Sequence, residues 1–502
     1  MRKVPARSKQ PTSASDLLWK AAGILRGSMD TAHYKSTVLT LLYVRLLSTE
    51  FEQGRRHTEV EGLDDTNFHC AAEGLRWVPE VARWKTLFQR VQDPDDDPVS
   101  ALDEAFRAIE RSGRDFADLF PPARALIRDM ERPSITALFA LFDDAIDGTV
   151  AGELLEGLAR LEGKKGSAFH TPRSVSRLLV EVLQPRQGRV YDPCCGSGSM
   201  LVQATRFAVE RGVDVSKIAC YGQEINAQSW RLARMNLHMQ GLDANLGCGD
   251  TLADDLWPTF KADVVVANPP FNITDWTRPG RERRWPYGPP PRNNANFAWL
   301  QHVVDKLDVG GSAGVVLANG SLSTRQMGEG EIRKGIVEDD LIACIVALPA
   351  HLFPSTAIPA CVWFLSRGKS PQGAGLPEDR RGQTLFIDAQ GMGVMTGRAH
   401  RVLTDEELSE IADTYHAWRG AGRRGGCYRD VPGFCRSVQL EEIRQNQHVL
   451  TPARYVGQTE ADGTRPGGST DVRIRALTRE LLELMDASDR LTQEMRHHLS
   501  QE

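Results

Sequence analysis

Two short stretches of the 502-residue chain hold residue types that can do chemistry together. The first is Asn268-Pro269-Pro270-Phe271, which follows the apolar run Asp263 to Ala267. That run has the β-branched density of a strand buried on both faces, and the Pro-Pro pair forbids the strand to continue. Asn268 is thereby left at a strand's carboxyl end, where open α/β sheets hold their ligands. Its amide oxygen can accept from an exocyclic amino group, the Pro269 carbonyl can accept the second proton, and Phe271 can stack on a flat heterocycle. Two acceptors aimed at an NH2 turn its nitrogen lone pair toward an incoming methyl group, so no strong base is required. Taken alone, the tetrapeptide also serves simply to end a strand and turn the chain.

The second stretch, DPCCGSGSM at 192–200, follows a short strand, Arg189 to Tyr191. A Gly-rich turn between strand and helix lets the backbone approach a ligand where a Cβ would clash, and Asp192 can bind an amino group or an ordered water. Gly196-Ser197-Gly198-Ser199 does not complete the G-x-G-x-x-G that cradles a pyrophosphate. The donor it implies carries no phosphate at this loop, which points to S-adenosylmethionine. The next strand, Ile218 to Gly222, ends at Gln223-Glu224, where a carboxylate can accept both ribose hydroxyls or stand in solvent. Its distance from Asp192 exceeds the roughly 20 residues usual in dinucleotide folds, so the intervening helix must be extended. After a helix from Ala227 to Gly241, Gly249-Asp250-Thr251 closes the third strand and places Asp250 for an adenine amino group. Strand four then delivers Asn268. Upstream, Phe169-His170-Thr171-Pro172-Arg173 leads into the amphipathic helix Val175 to Leu183, with Thr171 as N-cap, Pro172 as first helical residue and an anion site at the helix start.

The length and patterning say what positions these residues. About 150 residues per domain gives roughly three domains. From Ser15 onward, Leu17, Leu18, Ala21, Ala22, Ile24 and Leu25, then Val38, Leu41, Leu42, Val44, Leu46 and Leu47, recur at helical spacing. Further helical stretches, about 80–92, 99–111, 122–130 and 151–161, are separated by QDPDDDP and by Pro121, Pro122 and Pro133. The chain divides into a disordered basic arm (1–11), an all-α domain (12–162), an α/β domain with a mostly parallel, Rossmann-like sheet (163–456), a linker (457–470) and a C-terminal helix (471–502) with apolar residues from Ile474 to Leu499. Such a helix cannot bury its stripe alone and must pack on its own domain or on a partner.

Lys and Arg number 61 against 66 Asp and Glu, a net charge of −5, so any nucleic-acid surface must be local or supplied by a partner. One local candidate is the stretch 274–294, where Arg278, Arg281, Arg283, Arg284 and Arg292 can meet phosphates and Trp285 or Tyr287 can support an unstacked base; a solvated loop has the same composition. The nine cysteines form no CxxC pair, which fits reduced thiols in a cytoplasm and no metal site. Adjacent Cys194 and Cys195 read as small turn and core residues. No apolar run reaches the length of a membrane span.

The succession GSG, Glu, Asp, NPPF on four consecutive strand ends resembles the adenine-N6 DNA methyltransferases of the class I S-adenosylmethionine-dependent fold. Within that group the chain most resembles the modification subunit of type I restriction-modification systems, through DLLWKAAGILRGSMDTAHYKSTVLTLLYVRLLSTEFE (16–52), ANFAWLQHVVDKLDVGGSAGVVLANGSLS (295–323), IACIVALPAHLFPSTAIPACVWFL (342–365) and SVQLEEIRQNQHVLTPARYV (437–456). It departs where Ala318 replaces a usual Pro and Asn296 a frequent Asp. The resemblance implies methyl transfer to a flipped-out adenine in double-stranded DNA, without need of a metal. Asn268, Pro269, Pro270 and Phe271 would be catalytic. Phe169 to Arg173, Asp192, Gly196 to Ser199, Glu224, Asp250 and Thr251 would hold the donor, the F-x-TP segment meeting its methionine part. It also implies a specificity subunit that binds two copies of this chain, docked through the C-terminal helix, and a motor-nuclease restriction subunit as a third component. Methylation of a protein glutamine or an RNA base, and a scaffold that binds the donor without catalysis, use the same strand order and stay open at this point.

Overall fold

A computed structural model of the chain describes residues 14–25, 31–57, 76–143, 171–242, 244–277, 285–353, 358–371, 378–396, 400–421, 427–457 and 479. The basic arm, the expected helix at 151–161, Phe169 and His170, Arg278 to Arg284 and the C-terminal helix lie outside the described residues.

Helices Ala14–Leu25, Thr31–His57, Trp84–Gln92, Pro98–Ser112, Ala123–Ile127 and Arg132–Asp143 enclose one apolar core. Val38, Leu42 and Leu46, spaced four apart, bury one face of the long helix Thr31–His57. Trp84 stacks on Phe139 at 4.5 Å and Phe106 on Phe120 at 4.6 Å, so the core is closed by aromatic pairs. The acidic separator QDPDDDP is also a helix start: Asp97 accepts from the Ser100 N–H at 3.0 Å, and Pro98 is the first helical residue. Pro133 behaves likewise. The sequence pattern reads it as a break, whereas it lies in the first turn of Arg132–Asp143, where a missing N–H costs nothing.

The second core is a nine-stranded sheet with strands β1 Gly188–Asp192, β2 Ile218–Glu224, β3 Ala244–Cys248, β4 Ala262–Ala267, β5 Leu307–Ala318, β6 Ile342–Ala347, β7 Ala360–Ser366, β8 Gln383–Asp388 and β11 Cys435–Gln439, in the order β11-β8-β6-β7-β5-β4-β1-β2-β3. A separate two-stranded ribbon pairs β9 Val394–Met395 with β10 Arg401–Val402. β3, β2, β1, β4 and β5 run parallel, and β7 enters antiparallel between β5 and β6. From β1 the chain first builds outward through β2 and β3, then returns to the other side of β1 with β4. The β1/β4 boundary is therefore a topological switch point, with a crevice at the strands' carboxyl ends.

One face of the sheet packs against helices Arg173–Leu183, Ser199–Glu210 and Asp405–Trp418; the other packs against Asn296–Lys306 and Glu329–Glu338. Helix Ala227–Met239 serves both cores. Ala233 and Leu237 face the sheet, while Leu232, Met235 and Met239 join the helical core. Arg231 and Arg234 donate to the main-chain carbonyls of Asp118, Ala117 and Asp115 on the helical side. Tyr43 bonds His238, whose pKa burial and the nearby Arg76 and Arg234 depress to about 3, so this imidazole stays neutral.

Gly314 in β5 is a close-approach glycine, because a side-chain carbon there would stand 2.5 Å from Leu179 Cδ2 and 3.2 Å from Phe364. Gly314→Val is expected to push helix Arg173–Leu183 off the sheet and to destabilise the protein by about 1–3 kcal/mol. A denaturant midpoint equal to wild type would refute that packing argument.

Candidate active site

Val264, Val265, Val266 and Ala267 are buried, and Pro269 cannot donate to a sheet, so β4 stops with Asn268 in the crevice. Asn268 is only 5% exposed. Its Nδ2 donates to Thr171 Oγ1 at 2.9 Å, while Oδ1 is buried with no hydrogen-bond partner among the described residues. An unmet buried acceptor costs about 1–3 kcal/mol and calls for a ligand or another explanation. Phe271 is half-buried, and its ring stands edge-on to Phe353 with centroids 5.6 Å apart and planes at 70°.

Thr171 has a different role from the one its sequence position suggests. The N-cap of helix Arg173–Leu183 is Pro172, with ψ 142° and no side-chain cap, so the helix begins one residue later than expected. Thr171 lies too early to reach the first turn, and its hydroxyl serves the Asn268 amide instead. Arg173 opens the helix and is exposed.

β1 ends at Asp192, which is 0% exposed. Its Oδ1 accepts from the Cys194 N–H at 3.0 Å, and its Oδ2 has no hydrogen-bond partner among the described residues. Burial, reinforced by the Glu224 charge, raises its pKa to about 7 against the opposing pull of the Cys194 N–H. Gly196 and Gly198 carry φ of +53° and +76°, the left-handed conformation that glycine adopts without strain. A Cβ on Gly198 would also lie 3.3 Å from Ala233 and Leu237, so helix Ala227–Met239 sits directly against the turn. The Ser197 carbonyl accepts from Asn236 Nδ2 at 2.9 Å, and Ser199 starts the next helix. Cys195 is core and Cys194 is half-buried.

Glu224 closes β2. Its Oε2 accepts from the Gly196 N–H at 2.9 Å and Oε1 from the Asn226 N–H at 2.8 Å, while burial raises its pKa. The carboxylate thus braces the Gly turn and keeps its remaining lone pairs for a ligand. Asp250 accepts from the Leu252 and Ala253 N–H groups at 3.0 and 3.2 Å and holds its own turn. Thr251 Oγ1 donates to the Pro193 carbonyl at 2.6 Å, tying the loop after β3 to the loop after β1.

Three contributors escape the sequence reading. Ile225, beside Glu224, is 65% exposed at the strand's end. Phe353, in LPAHLF after β6, backs Phe271. Asn272 and Asn296 join the loop after Phe271 to a buried helix. Ile225 carries a signal, an apolar residue directly after a strand-end acid, and Asn296 carries one as a position where the resembled family often has Asp. Trp285 and Tyr287 are not displayed for an unstacked base: Trp285 is buried edge-on against Trp276, and Tyr287 donates to Asp339 Oδ2 at 2.7 Å with its ring against Gly335. Arg292 is exposed.

Two orphan acceptors, Asp192 Oδ2 and Asn268 Oδ1, therefore stand at the ends of adjacent strands beside a left-handed Gly turn and a strand-end acid. Fold and site together define a class I S-adenosylmethionine-dependent methyltransferase preceded by an all-helical domain. The family model described as N-6 DNA Methylase matches residues 144–463, and the HsdM N-terminal domain matches residues 15–141. The type I restriction enzyme HindI methylase subunit of Haemophilus influenzae is 37% identical over 420 residues, covering 79% of this chain and 91% of the relative. The MjaIX methylase subunit of Methanocaldococcus jannaschii is 30% identical over 522 residues, covering 96% and 90%. The crystal structure of a type I restriction-modification methyltransferase subunit from Streptococcus thermophilus superposes with a TM-score of 0.72 at 27% identity, covering 88% of this chain and 99% of that one. The chain belongs to the N-6 DNA methylase family, among the methylase subunits of type I restriction-modification systems, and is an adenine-specific DNA methyltransferase.

The raised pKa of Asp192 has a stability consequence. The unfolded carboxyl ionises near pH 4 and the folded one near 7, so stability is lost as pH rises between those values and the deficit is constant above. Asp192→Asn, which keeps the bond from Cys194 N–H, is expected to raise the melting temperature of the ligand-free protein at pH 8 and to raise it much less at pH 4.5, where most of the deficit has yet to develop. Equal gains at both pH values would show that the buried charge is not the cause.

Proposed function

We propose that the chain transfers the methyl group of S-adenosylmethionine to the N6 amino group of an adenine flipped out of duplex DNA, as the modification subunit of a type I restriction-modification complex. The observation that carries this reading is the buried, unpartnered Oδ1 of Asn268 at a strand end locked by two prolines. An acceptor so placed selects a donor such as an amino group, and Thr171 occupies the amide's other end.

Asp192, Gly196 to Ser199, Glu224, Asp250 and Thr251 would hold the donor, with Thr171, Pro172 and Arg173 flanking it and Phe169 and His170 completing the segment. The unmet Asp192 oxygen suits an ammonium group, the Gly turn leaves room for close approach, and Glu224 offers lone pairs to hydroxyls. When bound, S-adenosylmethionine supplies an activated methyl on a sulfonium leaving group. The flipped adenine, which costs a few kcal/mol to extrude, stacks on Phe271. Asn268 Oδ1 and the Pro269 carbonyl accept its two N6 protons and direct the nitrogen lone pair at the methyl carbon. As the new C–N bond forms and the C–S bond breaks, N6 becomes cationic and releases one proton through these acceptors to solvent. The protein contributes alignment more than acid–base strength.

The relatives' names place such chains as methylase subunits of type I restriction enzymes, which supports a complex with a specificity subunit and a restriction subunit acting on DNA. We assign two copies of this chain to each specificity subunit, docked through residues 471–502, and place the complex in the cytoplasm. Among the described residues no helix is long and apolar enough to cross a membrane.

Asn268→Ala is expected to bind S-adenosylmethionine as wild type does and to lose methylation at least roughly a hundredfold, the scale of deleting one preorganised polar contact; normal turnover would refute the mechanism. Transfer of labelled methyl to duplex DNA, with the chain alone and with a candidate specificity subunit added, tests the assembly. Label in adenine only when that subunit is present supports the division of labour. Donor binding without label in DNA would instead favour a protein or RNA substrate, or a scaffold.

A further inference from the structure

We propose that Asn272 and Asn296 form a clasp that positions the catalytic tetrapeptide, a role separate from contact with donor or base. The proposal rests on the reading of Asn268 and Phe271 as the base-orienting pair. Asn272 is the first residue after Phe271 and has φ of +54°, a left-handed conformation that asparagine tolerates better than most side chains. Its main-chain N–H donates to Asn296 Oδ1 at 3.1 Å, and Asn296 Nδ2 donates back to Asn272 Oδ1 at 2.9 Å. A main-chain N–H can only donate, so the Asn296 amide has one possible orientation here and the reciprocal bond follows from it. The Ala295 N–H adds a third bond to the Ile273 carbonyl at 3.1 Å.

The two halves of the clasp differ in environment. Asn296 is 3% exposed and starts helix Asn296–Lys306, whose residues from Asn296 to Val304 are all buried. That helix is a fixed post. Asn272 is exposed. The turn at 272 sets the direction in which the chain leaves Phe271, and hence where its ring meets Phe353. β4 holds the tetrapeptide at its beginning and the clasp holds it at its end, so the Phe271 ring and the Asn268 amide keep one spacing.

Asn296→Leu removes both side-chain bonds at similar volume. At saturating S-adenosylmethionine and DNA it is expected to lower kcat by roughly 10- to 100-fold, the effect of sub-ångström to ångström misplacement, while the dissociation constant for S-adenosylmethionine stays within about twofold. Asn296→Asp is expected to restore turnover, because its carboxylate still accepts from the Asn272 N–H, the Asn272 amide can turn over to donate, and the helix start favours negative charge. Asn272→Val, at an exposed site where the fold is not at risk, forces a β-branched residue into the left-handed region and is expected to reproduce the kcat loss; it carries the test should Asn296→Leu not fold. Asn272→Gly keeps both the backbone conformation and the N–H, and is expected to stay within about threefold of wild type. Wild-type kcat in Asn296→Leu or in Asn272→Val would overturn the proposal, as would a loss of donor affinity that accounts for the whole effect. With Asn268→Ala inactive, such a result removes the clasp alone; Asn268→Ala turning over normally removes the reading beneath it.

Discussion

The structure depends on the forced end of β4. Three consecutive buried valines commit this strand to the middle of the sheet, between β1 and β5, and Pro269 and Pro270 then leave no N–H to extend either ladder. The chain must turn where the switch-point crevice opens. Because β1 is the neighbour, Asp192 and Asn268 end side by side, each with one oxygen that finds no partner among the described residues. Two unmet acceptors cost about 1–3 kcal/mol each, which the apolar burial of Val264 to Ala267 and their neighbours offsets. The destabilisation is concentrated where a ligand carrying N–H groups can relieve it.

Helix Ala227–Met239 transmits that geometry to the rest of the molecule. On one side it touches the Gly turn through Ala233, Leu237 and Asn236; on the other it enters the helical core and ties down the carbonyls of 115–118 with two arginines. A single helix is therefore shared by the Gly turn and the amino-terminal helices. Its contacts to the Gly turn are close: a Cβ at residue 198 would press on Ala233 and Leu237 at 3.3 Å. The neutral His238 at its carboxyl end packs against Tyr43 without burying a charge.

The succession of the first four strands, the Gly turn and the strand-end acids are legible in the sequence because each depends on local chemistry: β-branched runs, proline termination, glycine at positive φ. The helical domain was legible as periodicity, apart from Arg132–Asp143, where a proline in the first turn looks like a break. What could not be read were pairings between distant segments. Thr171 bonding Asn268 joins residues 97 positions apart, and no local pattern distinguishes it from a helix cap. Trp285 and Tyr287 looked available because composition does not tell whether an aromatic ring faces inward. The antiparallel insertion of β7 between β5 and β6 likewise follows from packing, since IACIVA and ACVWFLS are equally suited to either direction.

The choice of an amide at position 268 also follows from electrostatics. Glu224 and Asp192 already place two carboxylates at neighbouring strand ends; burial raises the pKa of both, and the Glu224 charge adds to the rise at Asp192. A third carboxylate at a site 5% exposed would add another buried negative charge beside these two. The asparagine oxygen is an acceptor at every pH, adds no charge to the pair, and leaves its nitrogen to be held by Thr171. A neutral amide thus supplies a buried acceptor beside two acids without adding to their charge, and a cationic ligand is the kind that best relieves those acids.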